Sequence, residues 1–248
     1  MRGMNGQRTR FLGLDFQPMT ADDAAALLAE TASAETAFSY VVTPNVDHRI
    51  RLEREPALRP LYESAGLILN DSRILELLAK RDGIALPASP GADIVEHLFA
   101  ATIRPGETVT IVGGDADLET SLRDRYGLTD IRRHDPPRGL RDKPEAIAAA
   151  AAFLAANPAR FHFICVGSPQ QEMVAYEAFR LGSAKGIGLC CGASLDFLSG
   201  KTDRAPEWMR RTRLEWLHRL ASEPGRLGRR YLIEGPAIFR IWQRARRG

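Results

Sequence analysis

The chain has 248 residues, of which 44% are hydrophobic and 26% are charged, so it can bury a full core and is not intrinsically disordered. No apolar run approaches the ~18 residues of a membrane-spanning helix, and residues 1–10 lack the apolar segment of a signal peptide. The three cysteines, Cys165, Cys190 and Cys191, show no CxxC spacing, which argues against a zinc site or a disulfide framework and fits a reducing cytoplasm.

The formal net charge of +3 is unevenly distributed along the chain. From Arg204 onward there are twelve arginines and four glutamates, a formal +8, so the preceding chain carries −5. We therefore expect a mildly acidic body, residues 1–203, and a basic helical appendage, residues 204–248. Tryptophan, arginine and leucine at helical spacing are typical of a helix at an anionic lipid interface, and the appendage holds all three tryptophans, Trp208, Trp216 and Trp242.

Apolar strand patterns and helical patterns alternate along the body. The predicted strands are Arg10–Phe16 (an edge strand), Ala37–Thr43, Leu67–Leu69, Val109–Val112, Ile131–His134, Phe161–Val166 and Ile187–Cys191. The predicted helices are Ala21–Thr31, one capped by Asn45 or Asp47 and running toward Arg54, Ile74–Lys80, Pro90–Ile103, one ending at Tyr126, Pro144–Ala156 and Met173–Leu181. This alternation predicts a Rossmann-like, mostly parallel sheet with helices on both faces.

Ligands of such sheets bind beyond the carboxyl ends of the strands, an edge that we call the rim. The turn residues expected there are Thr43, Asn45, Asp71, Gly113, Gly167 and Gly192. Asp71 is the first candidate for chemistry, because a carboxylate held at a strand end can accept a proton from a substrate hydroxyl. The alternative, that Asp71 only caps the following helix, is about equally favoured. Thr43 and Asn45 suit a sugar or a supporting hydrogen bond, although both are also ordinary helix-start residues.

Two glycine loops are candidates for nucleotide binding. Gly113 and Gly114 follow a strand and allow a backbone to approach a diphosphate at a helix N-terminus, but the full G-x-G-x-x-G pattern is absent. The D-x-D triplet at residues 115–117 is favoured as a helix cap over a metal site. The loop G-S-P-Q-Q-E, residues 167–172, places Gly167, Pro169 and Gln171 at the rim, and Gln171 is the preferred ligand contact.

Four arginines of the appendage, Arg219, Arg226, Arg229 and Arg230, have steps of seven, three and one residues. An unbroken helix would align them on one face, although Pro224 and Gly225 interrupt the pattern. Guanidinium groups can bind a diphosphate in bidentate fashion and replace a metal ion. The alternative is a solvated basic face, which we favour for the arginines between positions 240 and 247.

Several motifs, taken together, resemble one known family. They are T-P-N-V-D-H, the strand-end Asp71, I-V-G-G, V-G-S-P-Q-Q-E, and the run from D-F-L-S-G-K-T-D-R-A-P-E-W-M through L-E-W-L-H-R-L-A-S-E-P-G-R-L-G-R-R-Y. From about Phe11 to Tyr231 the chain resembles the WecG/TagA/CpsF family of bacterial glycosyltransferases. The last two motifs are the most specific.

This resemblance implies an inverting, metal-independent transferase without a cofactor. It would move a sugar from a UDP-sugar, of N-acetylmannosamine, its uronic acid or glucose, to a polyprenyl-diphosphate-linked saccharide. The enzyme would be cytoplasmic and peripheral on the inner face of the membrane, and it would serve cell-surface polysaccharide synthesis. A homo-oligomer is compatible with the sequence.

The resemblance also assigns roles to individual residues. Asp71 matches the proposed base, Thr43 and Asn45 the substrate-contacting pair, and Gln171 the glutamine of the G-x-P-x-Q-E loop, while the tail arginines are Arg219, Arg226 and Arg229. The family usually has glycine where this chain has Ser72, and serine adopts positive φ less readily.

Two competing classes are kept open by the sequence. One is a Rossmann-like nucleotide-binding protein or oxidoreductase, which the missing G-x-G-x-x-G argues against. The other is a lipid-binding scaffold without catalysis, which the altered context of Asp71 leaves open. Nucleic acid is not an expected partner, because basic and aromatic residues are not interleaved over the body.

Overall fold

The structure is a computed structural model that describes residues 7–200, 209, 225, 228 and 234–247. Its strands are β1 (Thr9–Phe11), β2 (Leu14–Phe16), β3 (Ser39–Val42), β4 (Leu67–Ile68), β5 (Val109–Gly113), β6 (Ile131–His134), β7 (Phe161–Cys165) and β8 (Ile187–Cys190). Six of them form one sheet in the order β4-β3-β8-β7-β5-β6, in which every pairing is parallel. The predicted parallel sheet is confirmed.

The prediction of one edge strand over Arg10–Phe16 is wrong. The segment instead folds as an antiparallel pair, β1 with β2, that stands apart from the main sheet. Leu12 and Gly13 form its turn with φ of 47° and 80°, a conformation that glycine allows and that the alternating apolar pattern conceals. Gln17 then meets the outer edge of the main sheet, where its side-chain Oε1 accepts the Ile68 N–H at 2.7 Å.

Ten α-helices lie within the described ranges. They are α1 (Ala21–Thr31), α2 (Val46–Arg54), α3 (Pro60–Glu63), α4 (Arg73–Arg81), α5 (Gly91–His97), α6 (Ala116–Tyr126), α7 (Pro144–Ala156), α8 (Gln170–Leu181), α9 (Ser194–Leu198) and α10 (Ala237–Ala245). The predicted helix Pro90–Ile103 consists of α5 and a π-helical segment, Leu98–Thr102. The helix predicted from Met173 begins three residues earlier, directly after Pro169. None of the helices in these ranges is long and apolar enough to cross a membrane.

The sheet separates two apolar clusters. Tyr40 and Val42 of β3 belong to one cluster and Val41 belongs to the other, because successive side chains of a strand point to opposite faces. Residues of α2, α4, α7, α8 and α10 complete the first cluster, and residues of α1, α5, α6 and α9 complete the second. Helices therefore cover both faces, as the sequence predicts.

The C-terminal helix α10 packs on the body. Ile238, Ile241 and Trp242 join the same apolar cluster as Ile50 of α2, and Trp242 is only 7% exposed. The Trp242 indole Nε1 donates a hydrogen bond to Asp82 Oδ2 at 2.7 Å. For Trp242 the expectation of a lipid-facing side chain is therefore wrong, because the indole is packed against the body. Trp208 and Trp216 lie outside the described residues.

Candidate active site

Asp71 lies at the rim, two residues before α4, in a rigid strand end. The preceding Asn70 is 1% exposed, its Nδ2 donates to the Leu86 carbonyl oxygen at 3.3 Å, and its own carbonyl accepts the Ser89 N–H at 2.6 Å. The Asp71 N–H donates to the Pro44 carbonyl oxygen at 3.1 Å. The backbone of Asp71 is thus fixed while its side chain stays half-buried at the edge of the protein.

Ser72, and not Asp71, caps α4. The Ser72 hydroxyl oxygen accepts the Leu75 N–H at 3.2 Å, and Ser72 has φ of −153°, which is ordinary extended backbone. A serine therefore fits this position without the positive φ for which glycine is suited. The interpretation of Asp71 as the helix cap fails, and its carboxylate is not needed for that purpose.

The loop after β3 brings Thr43 and Asn45 beside Asp71. A Cβ atom on Gly91 would lie 3.0 Å from Thr43 Oγ1, so glycine at the start of α5 allows that helix to approach the threonine. Asn45 is the N-cap of α2, and its Oδ1 accepts the Asp47 N–H at 3.1 Å. The helix-start role of Asn45 is confirmed, and its Nδ2 forms no hydrogen bond with a described residue.

His48 and Glu172 form a pair behind the rim that the sequence analysis did not assign to the site. His48 Nδ1 lies 2.7 Å from Asn45 Oδ1, and its Nε2 lies 3.6 Å from Glu172 Oε1. Glu172 is 1% exposed. Burial raises the pKa of Glu172, but hydrogen bonding and the charge of His48, with a hydrogen bond from Gln171, hold the pKa below its usual value. The carboxylate therefore stays ionised inside the protein.

Gln171 connects two rim loops. Its Oε1 accepts the Gly192 N–H at 2.9 Å, and its Nε2 donates to Glu172 Oε1 at 3.0 Å. The side chain is 5% exposed, and Gly192 has φ of 53°. The oxygen and the nitrogen of the side-chain amide both form hydrogen bonds within the protein. The geometry therefore supports a positioning role for Gln171 rather than a direct ligand contact.

The loop between β7 and α8 is held by a residue from α2. Arg51 Nη1 donates to Ser168 Oγ at 2.7 Å, and the Gly167 carbonyl oxygen accepts the Gln171 N–H at 2.9 Å. Gly167 has φ of 75°, and Pro169 is buried at the start of the helix. This loop therefore joins the loop after β3 through α2.

Gly113 and Gly114 also lie at the rim, with φ of 94° and 68°. A Cβ on Gly113 would come within 2.9 Å of Val166 Cγ1, so glycine lets the loops after β5 and β7 approach each other. Asp115 caps α6, with its Oδ1 accepting the Leu118 N–H at 3.1 Å, which confirms the cap interpretation of the D-x-D triplet. Among the described residues no group of three His, Cys, Asp or Glu side chains is placed to hold a metal.

The predicted body residues thus meet at one edge of the sheet. A chain of contacts runs from Asp71 through Pro44, Asn45, His48, Glu172 and Gln171 to Gly192. The predicted leaving-group residues Arg219, Arg226 and Arg229 lie outside the described residues. One signal could have revealed the pair: His48 and Glu172 each occupy the third position of a helix that follows a rim strand.

A doubly wound parallel sheet with glycine loops at its carboxyl edge is an architecture typical of nucleotide-binding α/β enzymes. The family model of the glycosyl transferase WecG/TagA/CpsF family matches residues 9–248, nearly the whole chain. The chain therefore belongs to this family of glycosyltransferases. Membership implies a role in cell-surface polysaccharide synthesis, with a sugar-nucleotide donor and a lipid-linked acceptor.

Proposed function

We propose that the protein is an inverting glycosyltransferase that moves a sugar from a UDP-sugar to a polyprenyl-diphosphate-linked saccharide, with Asp71 as the general base. One observation carries the proposal: Asp71 is fixed at the rim through Asn70 and Pro44, while Ser72 caps the helix. A carboxylate that stands on a fixed backbone position and is not the helix cap suits proton transfer.

The topology supports a donor site at the two glycine loops. From β5 the chain proceeds to β6 on one side, whereas from β7 it proceeds to β8 on the other, so β5 and β7 flank a switch point of the sheet. Ligands of open α/β sheets bind in the crevice at such a point. Gly113, Gly114 and Gly167 line it, and their lack of side chains lets the nucleotide of the donor approach the backbone.

The remaining rim suits the sugar and the acceptor. Strands lie ~4.8 Å apart, so about 14 Å separate the ends of β4 and β7. A donor with its nucleoside at the glycine loops would extend its diphosphate along this rim and present its anomeric carbon toward Asp71. Thr43 and the amide group of Asn45 would then hydrogen-bond the sugar between them.

In the reaction the Asp71 carboxylate takes the proton of the acceptor hydroxyl. The acceptor oxygen forms a bond to the anomeric carbon as the bond between that carbon and the UDP oxygen breaks on the opposite face. The electron pair leaves with UDP, and Arg219, Arg226 and Arg229 are the residues proposed to neutralise the diphosphate. The appendage would also attach the enzyme to the cytoplasmic face of the membrane.

Two measurements on the full chain test this function. In a thermal-shift assay UDP should raise the melting temperature and NAD should not. In a screen of UDP-sugars with a polyprenyl-diphosphate-linked saccharide, one donor should release UDP only when the acceptor is present. Stabilisation by NAD without any effect of UDP would refute the proposal, and so would the absence of UDP release from every donor.

A further inference from the structure

An exposed face of α4 combines aliphatic and cationic side chains. Ile74 and Leu77 are 44% and 53% exposed, and they are two of only five large hydrophobic side chains exposed among the described residues. At 100° per residue they lie within about 120° of arc together with three exposed cations, of which Arg73 pairs with Glu76 of the same helix at 3.0 Å. We call this surface the α4 face; it consists of Arg73, Ile74, Leu77, Lys80 and Arg81.

The α4 face is not required for packing. The opposite side of the helix carries Leu75, Leu78 and Ala79, which are buried in the apolar cluster that also contains Trp242. Those three residues already attach α4 to the body. Exposure of Ile74 and Leu77 to water is unfavourable, and neither side chain is needed to pack α4 on the body. Exposed apolar side chains of this kind are typical of an interaction surface.

The α4 face continues onto α10. The Arg81 guanidinium lies 5.8 Å from the centre of the Trp242 ring, and the guanidinium of Arg246, the residue after α10, lies 4.9 Å from the same centre. Arg246 also pairs with Asp82, the residue after α4, at 3.2 Å. Phe239, one turn before Trp242, is 46% exposed. Cations and apolar side chains thus extend over two adjoining helices.

We propose that the α4 face docks on an anionic phospholipid surface. Aliphatic side chains among cations match the boundary between acyl chains and negatively charged headgroups. A second copy of the chain fits less well, because a symmetric contact would bring the same three cations together. The cations of the α4 face favour an anionic lipid surface over a neutral protein groove.

Docking through α4 would also place the part of the rim that contains Asp71 at the membrane. Asp71 lies two residues before this nine-residue helix, so the proposed base would sit beside the lipid surface. This point rests on the proposed function, since a lipid-linked acceptor presents its saccharide close to the membrane surface. The α4 face would thus be a membrane contact on the body, in addition to the contact proposed for the appendage.

Vesicle binding by the full-length protein tests this proposal without requiring turnover. The probes are vesicles of phosphatidylcholine alone and of equal parts phosphatidylcholine and phosphatidylglycerol. We expect cosedimentation only with the anionic vesicles, about tenfold weaker for Leu77→Gln and roughly fivefold weaker for Lys80→Gln. Leu181→Gln is the matched control, because Leu181 is 46% exposed on α8, away from α4. Melting temperatures of all variants check the fold.

A second measurement detects insertion directly. An environment-sensitive dye on a Leu77→Cys variant should shift to shorter wavelength with anionic vesicles, whereas the same dye on Leu181→Cys should not, and labelled wild type gives the background. The proposal is overturned if the wild type ignores anionic vesicles, if Leu77→Gln binds as well as Leu181→Gln, or if the dye on Leu77→Cys does not respond. Loss of a dimer in Leu77→Gln without loss of vesicle binding would assign the face to a second copy instead.

Discussion

The N–H of Asp71 donates to the carbonyl oxygen of Pro44 at 3.1 Å, and this bond joins the loops that follow two neighbouring strands. The loop of Pro44 also carries Asn45, whose side chain contacts His48, and His48 faces the buried Glu172. The proposed base is therefore connected to the loops that we assign to the donor.

The positioning role of Gln171 predicts coupled losses of stability and activity. Gln171→Leu removes the acceptor of the Gly192 N–H and one of the donors to the Glu172 carboxylate, so we expect a loss of about 2 kcal/mol in unfolding free energy. Donor kcat/KM should fall about tenfold as the loop after β8 loosens. Gln170→Leu, the same change one residue earlier, should alter neither. Lost activity at unchanged stability would instead make Gln171 a direct ligand contact.

The cap assigned to Ser72 predicts a graded effect on stability. Ser72→Ala should cost about 1 kcal/mol, because the Leu75 N–H loses its acceptor, whereas Ser72→Gly should cost only a few tenths. Both variants should retain turnover below their melting temperatures. Chemical denaturation and donor-dependent UDP release provide the measurements. If Ser72→Ala were as stable as the wild type, another residue would be capping α4 and Asp71 would again be a candidate.

The buried His162 predicts a pH-dependent stability. Burial lowers the pKa of His162 to about 4. Its ring nitrogens form hydrogen bonds with Thr110 Oγ1 and with the Lys185 carbonyl oxygen. An unfolded histidine has a pKa of about 6.5, so between pH 6.5 and 4 the unfolded state binds a proton that the folded state excludes. The unfolding free energy should fall by about 2 kcal/mol from pH 7 to pH 5.

His162→Gln is the control for this effect, because its stability should depend less on pH over the same range. An NMR titration of the folded wild type supplies an independent readout should that variant fold poorly. The His162 ring is expected to stay neutral until the pH approaches 4. A ring that titrates near pH 6.5 in the folded protein would contradict the account of its burial.

The docking of α10 predicts that the last helix stabilises the body. Trp242→Phe keeps most of the apolar contact but removes the hydrogen bond to the Asp82 carboxylate, so we expect a loss of about 1.5 kcal/mol. Phe239→Ala, on the exposed side of the same helix, should change stability by less than about 0.5 kcal/mol. Equal stability of Trp242→Phe and the wild type in denaturant would show that α10 is not anchored through this bond.

The parallel sheet and the position of Asp71 could be read from the sequence because both follow from local patterns. Apolar strands such as Val109–Val112 alternate with helical segments, and the first polar residues after each strand must lie at one edge. The hairpin at residues 9–16 could not be predicted in this way, because a turn with positive φ at Leu12 and Gly13 leaves the alternating apolar pattern unchanged.

What the sequence could not provide are choices between chemically similar neighbours and contacts between distant segments. Asp71 and Ser72 are both good caps, and only the backbone conformation selects Ser72. The pair of His48 and Glu172 spans 124 positions of the chain, so their equivalent positions in two helices do not by themselves show that the side chains meet. Trp242 reads as a membrane anchor by composition, yet its partner Asp82 lies 160 residues away.

The central claim is that Asp71 is the general base of a glycosyl transfer. Because Ser72 supplies the helix cap, Asp71→Asn should melt at the wild-type temperature, while UDP release in the presence of the lipid-linked acceptor falls by ~10²- to 10⁴-fold. Asp115→Asn, which keeps a capping oxygen at another strand end, should remain active. The decisive measurement is the acceptor-dependent turnover of Asp71→Asn: a loss of at least about a hundredfold at unchanged stability supports the account, and undiminished turnover contradicts it.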